Sequence, residues 1–172
     1  MVKAAINDRL LFSDFTFGAK VGGIRSGSKV KVLDQDDFAQ VKSHAADKAS
    51  YRSIGALAVY LGAMTGMRVS EVLALTWADI DTINNVIHVT RSWDHQYGTG
   101  FKPTKTEASI RDIEVSPAVI KLLERIHQEQ MAAYLRTGYR DADQMIMRNQ
   151  WHTVITDTAC NKALAILQSD AG

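Results

Sequence analysis

Most of the usual signposts of function are scarce in this chain. One cysteine, Cys160, stands in 172 residues, which excludes an internal disulfide and fits a reducing compartment. It lies in a helical pattern beside Ala159 and Ala163, so a buried structural thiol is the expectation rather than a nucleophile. The five histidines are scattered and the cysteine has no partner at ligand spacing, so neither a metal nor any other cofactor is expected. Charge of one sign is also missing: 20 Lys and Arg against 19 Asp and Glu leave a formal net charge of +1, too little for a small module that holds nucleic acid by bulk charge. Any basic surface must be local. No apolar run is long enough to span a membrane, and no signal peptide opens the chain, so a soluble protein of the cytoplasm, with no membrane partner, is expected.

What is present is enough apolar sequence, 46% of residues, for one main core. The stretch that organises the rest is Met64-Thr-Gly-Met-Arg-Val-Ser-Glu-Val-Leu-Ala-Leu-Thr-Trp-Ala-Asp79. Gly66 breaks an apolar helix; Ser70 is placed to cap a second one, with Glu71 in its first turn and Val69, Val72, Leu73 and Trp77 at helical spacing. Arg68 then sits at the junction of two buried helices. It can present a fixed charge to a phosphate, or satisfy carbonyls at a helix C-terminus.

Around that stretch the pattern alternates between helix and strand. Residues Leu33–Phe38 place acids at a helix N-terminus, with Phe38 and Val41 opening a buried stripe that runs to about Asp47. A core helix follows from about Ser50 to Met64, in which Gly55 and Gly62 permit close helix contact. Thr82–Asn85 is a turn by composition, Val86–Trp93 a β-branched alternating strand, and Phe101–Thr104 and Ile110–Val115 two more strands. Ser116-Pro117 starts a helix that Gly138 ends. Met145–Met147 reads as a short buried strand, and Asp157 as the cap of a last helix with Ala159, Ala163, Ile166 and Leu167 inside. The fold class expected is mainly α with a small three-stranded antiparallel sheet (α+β).

The words Thr65-Gly-Met-Arg-Val-Ser-Glu-Val-Leu-Ala-Leu-Thr-Trp-Ala-Asp-Ile-Asp81 resemble the first signature of the tyrosine recombinases, the integrases of phages and conjugative transposons. The resemblance implies that Arg68 is a catalytic cation on the scissile phosphate and that Glu71 supports it from a buried position. Pro103-Thr-Lys-Thr-Glu-Ala-Ser-Ile-Arg-Asp-Ile113 resembles the strand turn whose lysine protonates the leaving 5′ oxygen, and the match falls on Lys105, with Lys102 as its competitor one strand position earlier. Such a donor must reach an alkoxide as charge develops and then release it.

Further cations fit a duplex partner. Gly18–Val32 holds four Gly, two Ser, four cations and no acid, the composition of a flexible basic linker. Its Lys20, Arg25, Lys29 and Lys31 would track a phosphate backbone in a clamp closing around DNA; a merely solvated charge run is the alternative. Arg91, Lys102 and Arg111 are candidate DNA contacts, though exposed strand arginines are common without a ligand. By resemblance, residues 1–32 are the end of a core-binding arm helix plus an interdomain linker, and 33–172 the N-terminal part of the catalytic domain. Phe12, Phe15 and Phe17 would face a missing partner or fold back onto the core.

The family mechanism is attack of a tyrosine on a DNA phosphodiester, a 3′-phosphotyrosyl link and transfer to a second 5′ hydroxyl, without metal or nucleotide. His-x-x-Arg, a later His or Trp, and the nucleophilic Tyr have no counterpart here. His88-Val-Thr-Arg91 has the spacing but precedes the lysine and lies on a strand. The expectation is therefore a fragment of an integrase that recombines attachment-site DNA with other protomers, inert by itself and without a small-molecule ligand. A non-catalytic DNA-binding or regulatory protein that retains part of the recombinase fold is the alternative.

Overall fold

The computed structural model describes residues 33–94, 100–104 and 109–171, all within one compact unit, Leu33–Gly172. Lys20, Arg25, Lys29, Lys31 and Lys105, the three N-terminal phenylalanines and the proposed linker lie outside the described residues.

Three helices form the main layer. Helix α1, Gln35–Lys48, is capped by Asp34, whose Oδ1 accepts from Asp37 N at 2.8 Å, and it turns Val41 and Ala45 inward. Phe38, expected inside, is 41% exposed. Helix α2, Ile54–Thr65, is apolar on nearly every face, with Leu57 and Leu61 fully buried; a helix without a polar side is stable only when covered. It ends at Gly66, whose φ of 66° is a left-handed conformation that glycine adopts without strain.

The last helix, α5, Asp157–Ala171, packs on α1 and α2. Thr156 rather than Asp157 caps it, accepting from Ala159 N at 3.1 Å. Its inner stripe is correspondingly displaced by one residue: Cys160 and Leu167 are buried, Ala163 and Leu164 half-buried, and Ala159 and Ile166 exposed. Of the two glycines expected at close contacts, Gly55 is at one, since a Cβ there would stand 3.0 Å from Ala163 Cβ. At Gly62 it would meet nothing within 4 Å.

Helix α3 is shorter than its sequence pattern suggests. It spans Val69–Leu73, with Arg68 and not Ser70 at the N-cap, and Trp77 belongs to a separate 3-10 turn, Trp77–Asp79. The carboxylate of Glu71, three residues into the helix, reaches back to the Arg68 amide and does the capping.

The strands divide between two sheets. Strands β1 (Ile80–Asp81), β2 (Val86–Val89) and β5 (Arg111–Glu114) form a three-stranded antiparallel sheet in the order β1-β2-β5, and β3 (Arg91–Asp94) pairs with β4 (Gly100–Pro103) as a hairpin. The run 86–93 reads as one strand in sequence but changes partner at Thr90. Val89 faces Arg111, the first residue of β5, and beyond it the chain finds its next neighbour only in β4. Ile80–Asp81, short and next to a turn, lacks the length that makes a strand visible in sequence. Ile87 and Val89 put the sheet's inner face on the helices.

Helix α4, Pro117–Thr137, closes the other side with Val119, Leu123 and Ile126 buried, and ends at Gly138 with φ 67°. Met145, Ile146 and Met147 are all at 0% exposure. The buried Gln130 donates to Met145 O at 3.2 Å and accepts from Trp77 Nε1 at 2.7 Å, while Ile146 N donates to Leu75 O at 3.0 Å. These bonds fix the segment after α4 against the end of α3, because polar groups at such depth must be paired.

Candidate functional site

The junction between α2 and α3 holds the most organised set of charges among the described residues. Gly66 turns the chain back sharply, Met67 is buried as an anchor, and Arg68 emerges in extended conformation with φ −67° and ψ 149°. Its backbone is fixed at both ends, while its side chain is 69% exposed.

Glu71 beneath it is 3% exposed. A buried carboxylate needs compensation of its charge and its lone pairs, and three donors supply it. Glu71 Oε2 accepts from Arg68 N at 3.0 Å and from Arg111 Nη2 at 3.0 Å; Oε1 accepts from Arg68 Nη1 at 2.9 Å. Burial by itself would raise the Glu71 carboxyl, but the hydrogen bonds from Arg111 and Arg68 outweigh it and hold the group below the ordinary glutamate range. Arg111 donates through its other terminal nitrogen to Ser109 O at 3.0 Å, so a planar fork spans a helix and the entry to β5. For Arg68 the remaining donors, Nε and Nη2, meet no acceptor among the described residues. It satisfies no helix C-terminal carbonyl, the other role open to it from sequence.

The remaining predicted contacts are placed differently. Arg91 Nη2 donates to Asp79 Oδ1 and Oδ2, both at 2.9 Å, and to Thr76 Oγ1 at 3.1 Å; its guanidinium carbon sits 4.8 Å from the centre of the Phe101 ring. Its Nε is buried without a hydrogen-bond partner. Asp79 Oδ2 also accepts from Thr76 N at 2.8 Å and Thr76 Oγ1 at 2.7 Å. Arg91 thus ties the β3–β4 hairpin to the 3-10 turn. Lys102 Nζ stands 2.7 Å from Asp94 Oδ2, whose side chain is 3% exposed. The structure therefore joins Arg68, Glu71 and Arg111 in one group, and Arg91 with Asp79 and Thr76 in another.

Residues outside the predicted set also take part. Asp79 and Thr76 form the capping box of the 3-10 turn, and their three-residue Thr-x-x-Asp spacing is the sequence signal that could have found them. His88, whose spacing to Arg91 imitates His-x-x-Arg, lies on β2 with its Nδ1 2.6 Å from Asp112 Oδ1, and this contact raises its pKa above the ordinary histidine value. Arg91 is on the other sheet, so the two residues form no shared site. Of the tyrosines, Tyr51, Tyr60 and Tyr134 are buried, and Tyr139 stacks on His152 at 3.7 Å.

No described helix is long and apolar enough to cross a membrane, and no cluster of metal-ligating side chains occurs among the described residues.

Comparison with known proteins supplies context for this arrangement. Residues 31–167 match the model of the phage integrase family. The ICEBs1 integrase of Bacillus subtilis (strain 168) is 38% identical over 78 residues, which cover 45% of this chain and 21% of that protein. Among solved structures, the Tn1549 transposon integrase in complex with a circular intermediate DNA superposes with a TM-score of 0.60 at 21% identity, covering 96% of this chain and 52% of that one. The XerA recombinase gives 0.53 at 16% identity, over 86% and 44% respectively. At these identities the superpositions establish the fold. The chain spans about half the length of these solved chains and a smaller share of the ICEBs1 integrase.

Proposed function

The chain belongs to the phage integrase family, and from that premise we propose that it carries the phosphate-gripping face of a tyrosine recombinase acting on duplex DNA. Residues 33–172 are read as the N-terminal part of the catalytic domain, and 1–32 as the end of the arm and the basic linker. The wider process is site-specific integration and excision of a mobile element, carried out in the bacterial cytoplasm with further integrase protomers.

One observation carries this reading: a buried carboxylate, Glu71, holds the backbone and one guanidinium nitrogen of Arg68 while the rest of that side chain stands in solvent. Such an arrangement orients a cation without neutralising its outer donors, and fixed donors of this kind stabilise the charge that builds on a phosphorane. Arg68 is assigned to a non-bridging phosphate oxygen and Lys105 to protonation of the leaving oxygen. Lys20, Arg25, Lys29 and Lys31 are assigned to the flanking phosphates. The Tn1549 transposon integrase, solved in complex with a circular intermediate DNA, supports a DNA partner for this chain as a protein of like fold.

The test is equilibrium binding of the chain to duplex DNA as a function of salt. Binding through Z phosphates gives a slope of about −0.9Z in log affinity against log salt, so Arg68→Gln should weaken binding and reduce the slope by about 0.9. A flat salt response between low and moderate ionic strength would overturn the assignment.

A further inference from the structure

The charges around Glu71 do not simply pair off. Arg68 and Glu71 taken alone sum to zero, and a compact pair of opposite charges presents only a weak field to an approaching anion, because attraction and repulsion nearly cancel beyond a few ångströms. Arg111 changes that sum. Its Nη2 shares Glu71 Oε2 with the Arg68 amide, which makes the group net +1. Exposure is graded across it, 69% for the Arg68 side chain, 32% for Arg111 and 3% for Glu71. The surplus charge is therefore displayed mainly by Arg68.

We propose that Arg111 is a positioning residue that acts through Glu71: by occupying the carboxylate it keeps Arg68 held through a single guanidinium nitrogen, with its outer donors open to a phosphodiester oxygen. The identity of that anion rests on the function proposed above. Without Arg111, Arg68 closes onto both oxygens of Glu71 as a fork, and the site becomes neutral.

Two features suit Arg111 to this work. Its backbone is the first residue of β5, set in register opposite the buried Val89, so the origin of the side chain is fixed. Ser109 O takes one terminal nitrogen and Glu71 the other, which fixes the plane of the guanidinium as well; an ammonium could not hold both acceptors in that geometry. The hydrogen bond from Arg111 also stands ahead of those from Arg68 among the interactions that keep the Glu71 carboxyl low.

The experiment compares the parent chain with Arg111→Gln, Arg111→Lys and the double variant Glu71→Gln/Arg111→Gln, each checked for folding by circular dichroism. Binding to a fluorescein-labelled duplex is titrated at several salt concentrations. R111Q is expected to lose about tenfold or more in affinity and to lower the salt slope by the ~0.9 of a single lost phosphate contact, that of Arg68. R111K, which retains the charge but cannot hold Ser109 O and Glu71 together, should fall between the parent and R111Q. The double variant, in which Arg68 no longer has a carboxylate to close upon, should recover most of the affinity. A double variant as weak as R111Q would show that Arg111 is itself the phosphate contact, and a loss in R111K equal to that in R111Q would show that charge is not its role; either overturns the proposal.

A readout without DNA separates this inference from the functional reading. Nitrogen-15 NMR of the arginine side chains reports rotation about the Arg68 Cζ–Nε bond, which should slow in R111Q as the second Glu71 oxygen is engaged and return toward the parent rate in the double variant. If the parent chain shows no salt-dependent binding, the functional reading falls and this comparison alone decides the role of Arg111. Equal rotation rates in the parent and R111Q overturn it.

Discussion

Replacing Asp79 by alanine tests whether the β3–β4 hairpin is held where the structure puts it. The side chain is 9% exposed and accepts from Thr76 N, Thr76 Oγ1 and Arg91 Nη2. Removing one partner of a fully buried ion pair costs about 3–5 kcal/mol, because the other is left unmatched. Arg91 is 36% exposed, so water can reach part of its guanidinium and the pair contributes about 2 kcal/mol after that discount. Loss of the Thr76 contacts adds about 1 kcal/mol. The expected total is about 3 kcal/mol, a shift of the urea midpoint by about 1.5 M for a protein of this size. Unfolding followed through Trp77 and Trp93 fluorescence measures it. Arg91→Met and the double variant complete a cycle, in which a coupling of about 1–2 kcal/mol is expected. A loss under about 1 kcal/mol, or additive single effects, would refute the anchoring.

Other expectations follow from the same contacts. Gly62→Ala should stabilise the chain by about 0.5–1 kcal/mol in thermal or urea unfolding, since helix propensity improves and the new methyl meets nothing within 4 Å; Gly55→Val should cost about 1–3 kcal/mol because Ala163 already stands 3.0 Å from the first carbon. The Glu71 carboxyl is depressed in the folded state, so its stabilisation is complete above the unfolded value of about 4.3 and is lost as pH falls through the lower folded value. Glu71→Gln should accordingly be less stable than the parent at neutral pH, with the gap narrowing in acid unfolding curves. Burial, with Asp157 nearby, pushes the Cys160 thiol up to about 11, so iodoacetamide should label it in urea and leave it intact in buffer at pH 8. Incubation of the chain with a nicked attachment-site duplex should give no covalent adduct on a denaturing gel, because no tyrosine stands in the motif that would make it a nucleophile; an adduct would overturn the inert-fragment reading.

The helices were legible where their punctuation is chemical. Asp34, Gly66, Pro117 and Gly138 stop or start a helix by hydrogen bonding or backbone freedom that each residue carries with it. Details set by packing were not legible. Ser70 has the composition of a cap, yet Glu71 performs that task for Arg68 because Arg111, forty residues away, helps to bring the carboxylate into place. Thr156 takes the capping bond expected of Asp157, and the inner face of α5 is displaced with it. The strand run 86–93 has a uniform alternation, and nothing local in it announces a change of partner at Thr90. At the site, Arg68 and Glu71 are recognisable by their motif, whereas the roles of Arg91 and Arg111 depend on Asp79 and Glu71, to which no spacing rule connects them.

A net charge of +1 is compatible with a phosphate-gripping surface because several acids lie behind cations rather than beside them. The side chains of Glu71, Asp79 and Asp94 are 3%, 9% and 3% exposed, and each holds a basic side chain that is more open to solvent: Arg68 and Arg111, Arg91, and Lys102. At contact range the outer charge of each group is the one a polyanion meets first, whereas beyond a few ångströms the one-to-one pairs on Asp79 and Asp94 nearly cancel and the two arginines on Glu71 keep a surplus. The consequence separates the three acids. Neutralising Glu71 frees a cation that is already exposed, so it should strengthen nonspecific attraction to DNA at low salt even as it disorders the grip. Neutralising Asp79 releases Arg91 from a bridge between two elements and should act on stability first. Measured side by side, affinity at low salt and the urea midpoint should therefore move independently for E71Q and D79N, and parallel movement of both quantities in both variants would mean that these carboxylates do one structural job only.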